Sequence, residues 1–228
     1  MLKRFILKPI KWIVVVFLAS TILSVVALRF VPVFFTPLMV VRCYQQVAAG
    51  QPLKLSHHWV PMSRIAEGMP TAVMASEDAK FLSHHGFDYQ AIESAAKRNR
   101  EHPEKQRLGA STISQQTAKN VFLWPSRSWV RKGFEVYFTA LIETFWSKQR
   151  IMEVYLNSIE MGEGIYGVEA VAREHFNTTA AQLSDAQCAL IAATLPTPRR
   201  FSSKNPSAYI QKRQSRILHE MKFVQKFP

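Results

Sequence analysis

The chain has 228 residues, enough for one well-buried domain and a separate anchor. It carries 29 Lys and Arg residues against 16 Asp and Glu residues, a net charge of +13. That excess suits nucleic acid, anionic lipid or a phosphorylated substrate, and charge alone does not choose among them. The two cysteines, Cys43 and Cys188, do not support a disulfide framework, and no Cys and His spacing is typical of a metal site.

The N-terminal segment predicts a transmembrane anchor. Residues 12–28 are an uncharged run of 17, at the short end of the roughly 17–25 that span a bilayer as a helix. Four cations precede the run: Lys3, Arg4, Lys8 and Lys11. Their position predicts a cytoplasmic N-terminus and an outward-facing remainder of the chain. A cleaved signal peptide is the alternative, but residues 29–35 offer no small-residue cleavage site.

We therefore expect a basic cytoplasmic N-terminus (1–11), a transmembrane anchor (12–35), a juxtamembrane segment (36–58) and an outer domain (59–228). Only six of the 29 Lys and Arg residues lie in residues 1–42, so the remainder of the chain is basic in its own right.

Helical periodicity dominates after the anchor. Apolar residues recur at helical spacing in several segments, which predicts helices over 65–79, 129–146, 151–156, 168–175, 184–195 and 207–222. Ser184 and Gln187 have capping-box spacing, and Pro196 ends that helix. The polar segment 99–108 is interpreted as a mobile loop, either a substrate gate or a plain connector. Since alternating strand patterns of useful length are lacking, the prediction is one all-α domain.

Glu77, Phe81 and His84 are spaced at i, i+4 and i+7, which predicts one shared helix face that ends at Gly86. A carboxylate on the apolar face of a helix is desolvated, and desolvation suits it to act as a general base. A cap or a salt bridge is the structural alternative for Glu77. His84 and His85 are interpreted as groups that orient the loop or the carboxylate.

The stretch 109–120 is unusually dense in polar side chains. Thr112 and Gln115 have capping-box spacing, so a helix is predicted to begin near Ile113, where free N–H groups favour an anion. An elaborate helix cap is the alternative. It leaves four polar side chains without a role: Ser111, Gln116, Lys119 and Asn120. We expect a cradle for a sugar or a phosphate.

Three cations, Arg127, Arg131 and Lys132, precede Glu135. A surface ion pair would explain one such contact, worth at most about 1 kcal/mol. The cluster instead suits a pyrophosphate leaving group, whose charge needs fixed cations in the transition state.

Four motifs occur in order: Glu-Asp-x-x-Phe-x-x-His-x-Gly from Glu77, Gly-x-Ser-Thr-Ile-x-Gln-Gln-x-x-Lys-Asn from Gly109, Arg-Lys-x-x-Glu from Arg131 and Lys-x-x-Ile-x-Glu-x-Tyr-Leu-Asn from Lys148. In these motifs the chain resembles the peptidoglycan glycosyltransferases of family 51, and specifically their monofunctional, membrane-anchored members. The resemblance covers about residues 59–198. We expect no transpeptidase domain, and Ala110 replaces a glycine that is usual in the family.

The resemblance implies a lysozyme-like, mostly helical domain with a head and a membrane-associated jaw. It implies an inverting enzyme that polymerises lipid II into β-1,4-linked glycan strands and releases undecaprenyl pyrophosphate on the periplasmic side of the bacterial inner membrane. The implied partners are lipid II, the growing strand, the bilayer and other cell-wall synthesis and division proteins, but not nucleic acid.

By motif, Glu77 matches the base that deprotonates the 4-hydroxyl of the incoming sugar. Glu135 matches a second carboxylate that assists the departing pyrophosphate or positions Mg²⁺ or Mn²⁺, although no cofactor is required by the sequence. The cations around the pyrophosphate would be Lys119, Arg127, Arg131 and Lys132. The remaining substrate-binding candidates are Asp78, His84, Ser111, Thr112, Gln115, Gln116 and Asn120. Glu153, Tyr155 and Asn157 match a structural motif that supports the helix carrying Glu135.

Two alternatives stay open. A lytic transglycosylase or muramidase needs a carboxylic acid to protonate a sugar leaving group, and it gains nothing from the cations. A non-catalytic binder of anionic polymers predicts cations spread over one face, with aromatic platforms if it binds single strands. Here the cations concentrate beside two candidate acids.

Overall fold

The computed structural model describes residues 2–105, 107–126 and 128–228, with side chains from Ile10 onward. Within these residues the chain forms ten α-helices: α1 (Leu2–Leu28), α2 (Pro37–Ala48), α3 (Gly68–Glu77), α4 (Tyr89–Glu101), α5 (Ile113–Phe122), α6 (Trp129–Phe145), α7 (Lys148–Ser158), α8 (Val168–Phe176), α9 (Asp185–Thr194) and α10 (Ala208–Glu220). Three short strands, β1 (Ser56–His57), β2 (Glu160–Gly162) and β3 (Ile165–Tyr166), complete the fold. The chain is mainly α-helical, as predicted.

Helix α1 contains residues 12–28 of the predicted anchor, and the remaining residues 29–35 lie beyond its end. Its segment Ile10–Leu28 has a mean hydropathy of 2.3 and is almost entirely exposed, so its length and composition are consistent with a membrane span. The helix ends at Leu28, and residues 29–35 form a turn and an extended segment. Pro32 explains the break, because proline lacks an N–H and disfavours helical backbone in the residue before it.

The anchor packs against α6 through specific contacts. Thr21 Oγ1 and Tyr137 Oη share a hydrogen bond of 2.7 Å, and Trp146 Nε1 donates to the Val25 carbonyl at 2.8 Å. The Arg150 guanidinium donates to the Leu28 carbonyl at 2.8 Å. These bonds join the anchor to the helices that follow the polar stretch.

Helix α7 lies at the centre of the core. Apolar side chains are buried on all its faces, as expected for a helix enclosed by other elements: Ile151, Met152, Val154, Tyr155 and Leu156. Helix α9 packs against both α3 and α10. The capping box predicted for α9 is present, with Ser184 and Gln187 bonding each other's backbone.

The structure also contains a small β-sheet that the all-α prediction did not include. Strand β3 is the central strand: β1 pairs with β3 in parallel, and β2 pairs with β3 in antiparallel orientation. Strands of two or three residues are too short to show alternation in a sequence. The pairing of Ser56 with Ile165 brings part of the predicted juxtamembrane segment into the folded domain.

One local prediction is wrong, and another is wrong in part. The helix that begins the Glu77 motif ends at Glu77, so Phe81 and His84 lie in turns and do not share a helix face with it. The segment 99–108 is not simply a loop, since α4 extends to Glu101. The Asn99 side chain also bridges the two ends of this segment. Its Nδ2 donates to the Leu108 carbonyl at 2.9 Å, and its Oδ1 accepts from the Leu108 N–H at 2.8 Å.

The fourth motif is structural, but it supports a different segment from the one expected. Asn157 Nδ2 donates to the Val60 carbonyl, and its Oδ1 accepts from the Val60 N–H, both at 2.9 Å. Glu153 Oε1 accepts from the Met62 N–H at 2.9 Å, and Tyr155 bonds Gln116 on α5. The motif therefore holds residues 60–62 and α5.

Replacing Asn157 with alanine tests this clamp. The variant Asn157→Ala leaves the buried N–H and carbonyl of Val60 unpaired, and we expect a loss of about 3 kcal/mol in the free energy of unfolding. Thermal unfolding in detergent should show a Tm lower by roughly 6–12 °C. Asn205→Ala, at an exposed position, should leave the Tm unchanged. Equal Tm values for the two variants would contradict the clamp.

Candidate active site

Two adjoining cavities form one cleft, and Gln116 and Pro196 line both of them. The larger cavity has a volume of about 1180 Å³ and contains Glu77. The smaller one, of about 530 Å³, contains Lys119 and Arg131. The polar stretch 109–120 thus borders both cavities, as a cradle for an oxygen-rich ligand would.

Glu77 is the last residue of α3, and its side chain is only 13% exposed. Its Oε1 accepts from Ser76 Oγ and its Oε2 accepts from Gln116 Nε2, both at 3.1 Å. The Arg213 guanidinium lies 3.9 Å from Oε1. These contacts fix the carboxylate at the cavity wall, where it is positioned to take a proton from a hydroxyl group.

Asp78 ends α3 and joins it to α5. Its buried carboxylate accepts from the Ile113 N–H at 3.0 Å and contacts His84 Nε2 at 3.0 Å through both oxygens. His84 Nδ1 accepts from the Gly86 N–H at 3.1 Å, so its ring hydrogen lies on Nε2 and points to Asp78. Asp78 and His84 therefore fix the entry of α5.

The first turn of α5 has the predicted capping box. Thr112 Oγ1 accepts from the Gln115 N–H, and Gln115 Oε1 accepts from the Thr112 N–H. Thr112 Oγ1 also donates to the Gly86 carbonyl at 2.7 Å. The cap engages the side chains of Thr112 and Gln115, whereas Ser111 lines the larger cavity and Asn120 the smaller one. Ala110 does not have a positive φ, so alanine fits there.

Gln116 connects Glu77 to the core. The Tyr155 hydroxyl donates to Gln116 Oε1 at 3.2 Å, which orients the amide so that its nitrogen faces Glu77. Burial, together with the charges of Glu77 and Asp78, raises the pKa of Tyr155 well above its usual range. Tyr155 therefore stays protonated and remains a donor across the physiological pH range.

The cations of the smaller cavity surround a buried carboxylate. Glu135 is 3% exposed; its Oε2 accepts from Arg131 Nη1 at 2.7 Å, and its Oε1 pairs with the Lys132 ammonium. Lys119 makes no hydrogen bond or ion pair with any residue that the structure describes. Burial lowers the pKa of Lys119, and the Glu135 charge partly opposes this effect. A desolvated, unpaired ammonium favours an anionic ligand. Arg127 lies outside the described residues.

Sequence reasoning missed a group of arginines around the larger cavity. They come from α4, from the loop after α4, from the segment after α9, and from α10 itself. These residues are Arg98, Arg107, Arg200, Arg213 and Arg216. No motif marks them, and the only sequence signal is the basic character of α10. They make the larger cavity cationic around Glu77.

The cleft places the Glu77 carboxylate beside an adjoining cationic cavity, an arrangement that suits an enzyme of glycosyl transfer from a phosphorylated donor. Residues 45–222 match the family model described as Transglycosylase. The chain belongs to this transglycosylase family.

Its relatives include proteins named biosynthetic peptidoglycan transglycosylase. The one from Bacteroides thetaiotaomicron is 61% identical over 223 residues, 98% of this chain and 89% of the relative. Relatives from Bdellovibrio bacteriovorus and Caulobacter vibrioides are 52% and 51% identical, over 92% and 89% of this chain and 85% of each relative.

Replacing Gln116 with glutamate tests its contact with Glu77. The variant Gln116→Glu exchanges an amide donor for a second carboxylate, and the like charge disfavours the ionised form of Glu77. We expect the acidic limb of the pH–activity profile to move to higher pH by about one unit.

The matched control is Gln182→Glu, which adds the same charge at an exposed position. Its profile should overlay that of the unmodified enzyme. A Gln116→Glu profile with an unmoved acidic limb would contradict the proposed contact with the reacting carboxylate.

Proposed function

We propose that this peptidoglycan glycosyltransferase polymerises lipid II into linear β-1,4-linked glycan strands and releases undecaprenyl pyrophosphate. The observation that carries the proposal is the division of the cleft. Glu77 lines one cavity, and Lys119, which has no partner among the described residues, lines the next; Gln116 lines both and bonds Glu77. Such a cleft can hold an acceptor hydroxyl and a donor diphosphate side by side.

The reaction follows from the two cavities. The 4-hydroxyl of the acceptor sugar is a poor nucleophile until a base removes its proton, and Glu77 takes that proton. The acceptor oxygen then bonds to the anomeric carbon of the donor, while the bond from that carbon to the diphosphate oxygen breaks. Attack opposite the leaving group inverts the configuration at this carbon.

The departing diphosphate carries its own negative charge, so it needs cations rather than a general acid. Lys119 and Arg131 line the cavity in which that charge develops. Because burial partly desolvates Lys119, its attraction for the diphosphate is stronger than it would be at an open surface.

Glu135 acts in this proposal by positioning the cations. Both of its oxygens are engaged by Arg131 and Lys132, which leaves it poorly placed to transfer a proton. The described residues contain no group of three or more metal-ligating side chains, so they do not fit a protein-only metal site. A divalent ion held jointly with the diphosphate stays a prediction, and no step here depends on it.

The anchor contacts support a substrate that stays in the membrane. Phe17 lies within the apolar span, and its ring packs against Phe134 and Tyr137 of α6 at 6.0 and 5.8 Å. The start of α6, where Trp129 is 91% exposed, therefore lies beside the span. We propose a cytoplasmic N-terminus and a periplasmic catalytic domain at the inner membrane, with the cleft open to lipid-linked substrate.

The variant Glu77→Gln tests the proposed base. It keeps the shape of the side chain but cannot accept the proton, so polymerisation of lipid II in detergent should fall at least 1000-fold, on the order of 4 kcal/mol or more in the barrier. The Tm should stay within a few degrees of the unmodified enzyme. Glu101→Gln, an exposed control at the end of α4, should polymerise normally. Substantial polymer from Glu77→Gln would refute the mechanism.

A further inference from the structure

The wall of the smaller cavity includes an arginine and a glutamate that belong to none of the four motifs. Arg42 comes from α2, before the residues that match the family model, and Glu160 is the first residue of β2. Both line the same 530 Å³ cavity as Lys119 and Arg131. They are therefore available to whatever occupies the cationic cavity.

Arg42 has an unused donor. Its Nη1 donates to Gln45 Oε1 at 2.8 Å, whereas its Nε is buried and makes no hydrogen bond with any residue that the structure describes. The Nε of Arg131, on the same cavity, is buried and without an acceptor in the same way. A buried N–H without a partner costs free energy, so an acceptor brought into the cavity is favoured.

Glu160 is the counterion of Arg42, but the two are poorly matched. Arg42 Nε lies 3.5 Å from Glu160 Oε2, in a geometry that forms an ion pair without a hydrogen bond. Burial raises the pKa of Glu160, and the opposing attractions of Arg42 and Arg199 do not cancel that effect. An ion pair whose desolvation outweighs its attraction is readily exchanged for a better partner.

The helix that carries Arg42 also has the features of a helix that lies on a membrane surface. Val40, Tyr44 and Val47 are exposed and spaced at i, i+4 and i+7, so α2 presents an apolar face of the kind that lies in a membrane interface. A phosphate group attached to a lipid would enter the cavity past this helix. The planar guanidinium of arginine matches phosphate oxygens in both geometry and charge.

We propose that Arg42 is a binding residue for the lipid-linked diphosphate in the smaller cavity, and that Glu160 holds its guanidinium there when the cavity is empty. The inference rests on the proposed function and adds a contact from outside the matched family region. On binding, a diphosphate oxygen takes the place of the Glu160 carboxylate as the acceptor for Arg42.

The signs of two substitutions separate this role from a structural one. If the Arg42–Glu160 ion pair only holds α2 against β2, removing either partner breaks the same contact. Both substitutions would then change the affinity for the diphosphate in the same direction. If Arg42 binds the diphosphate, Arg42→Gln removes a donor and weakens binding. Glu160→Gln instead removes a competing charge and strengthens it.

The test uses the full chain in detergent, with farnesyl diphosphate as the probe and calorimetry as the readout. We expect Arg42→Gln to raise the Kd about tenfold, the scale of one charge-assisted hydrogen bond. Glu160→Gln should lower the Kd about threefold, and Arg42→Lys should fall between Arg42→Gln and the unmodified chain. The KM for lipid II should change in the same directions, with smaller changes in kcat.

Lys54→Gln is the matched control. Lys54 is another cation of the segment before the four motifs. It pairs with Glu174 at 2.7 Å and lines neither cavity. Removing it should leave the Kd unchanged.

Weaker binding in both Arg42→Gln and Glu160→Gln, or no change in either, would overturn the inference. If Arg42→Gln does not fold, Glu160→Gln and Arg42→Lys still decide by the direction of their Kd changes. Failure of the unmodified chain to polymerise lipid II would refute the proposed function, which is a separate outcome.

Discussion

The carboxylate of Asp78 accepts from the Ile113 N–H and from His84, and the two walls of the cleft depend on this junction. It draws the chain out of α3 immediately after Glu77, so the Glu77 carboxylate lies at the end of a helix and at the edge of a cavity. It also fixes where α5 begins, and α5 carries both Gln116 and Lys119. One buried side chain thereby sets the separation between the base and the cations.

The electrostatics of the cleft follow from that arrangement. Glu135 is satisfied by two cations, whereas Lys119 is half-buried and has no partner among the residues that the structure describes. The ion pair of Arg42 with Glu160 is poorly matched. The smaller cavity therefore holds positive charge that the described residues do not neutralise, and in the proposed function the diphosphate supplies the missing negative charge. Glu77 lies outside this cavity, where hydrogen bonds from Ser76 and Gln116 hold it ready to accept a proton.

Local signals in the sequence predicted eight of the ten helices that the structure describes, but not α2 or α4. The capping boxes at Thr112 and Ser184 marked the starts of α5 and α9, and apolar spacing marked α6, because caps and periodicity involve residues a few positions apart. The end of α3 could not be predicted in this way, since it depends on a contact between residues 35 positions apart. The Arg42–Glu160 pair and the arginines of the larger cavity likewise meet only through tertiary packing. Motifs identified candidate site residues, but not which of them cap a helix and which face the ligand.

The central claim is that the cleft builds glycan from a lipid-linked diphosphate and does not cut it. The most direct measurement offers the purified full-length chain labelled lipid II and, in a separate reaction, finished glycan strands, and separates the products by size. The account predicts long polymer and released undecaprenyl pyrophosphate from lipid II, with the finished strands left intact. Fragments from the finished strands, with no polymer from lipid II, would contradict it.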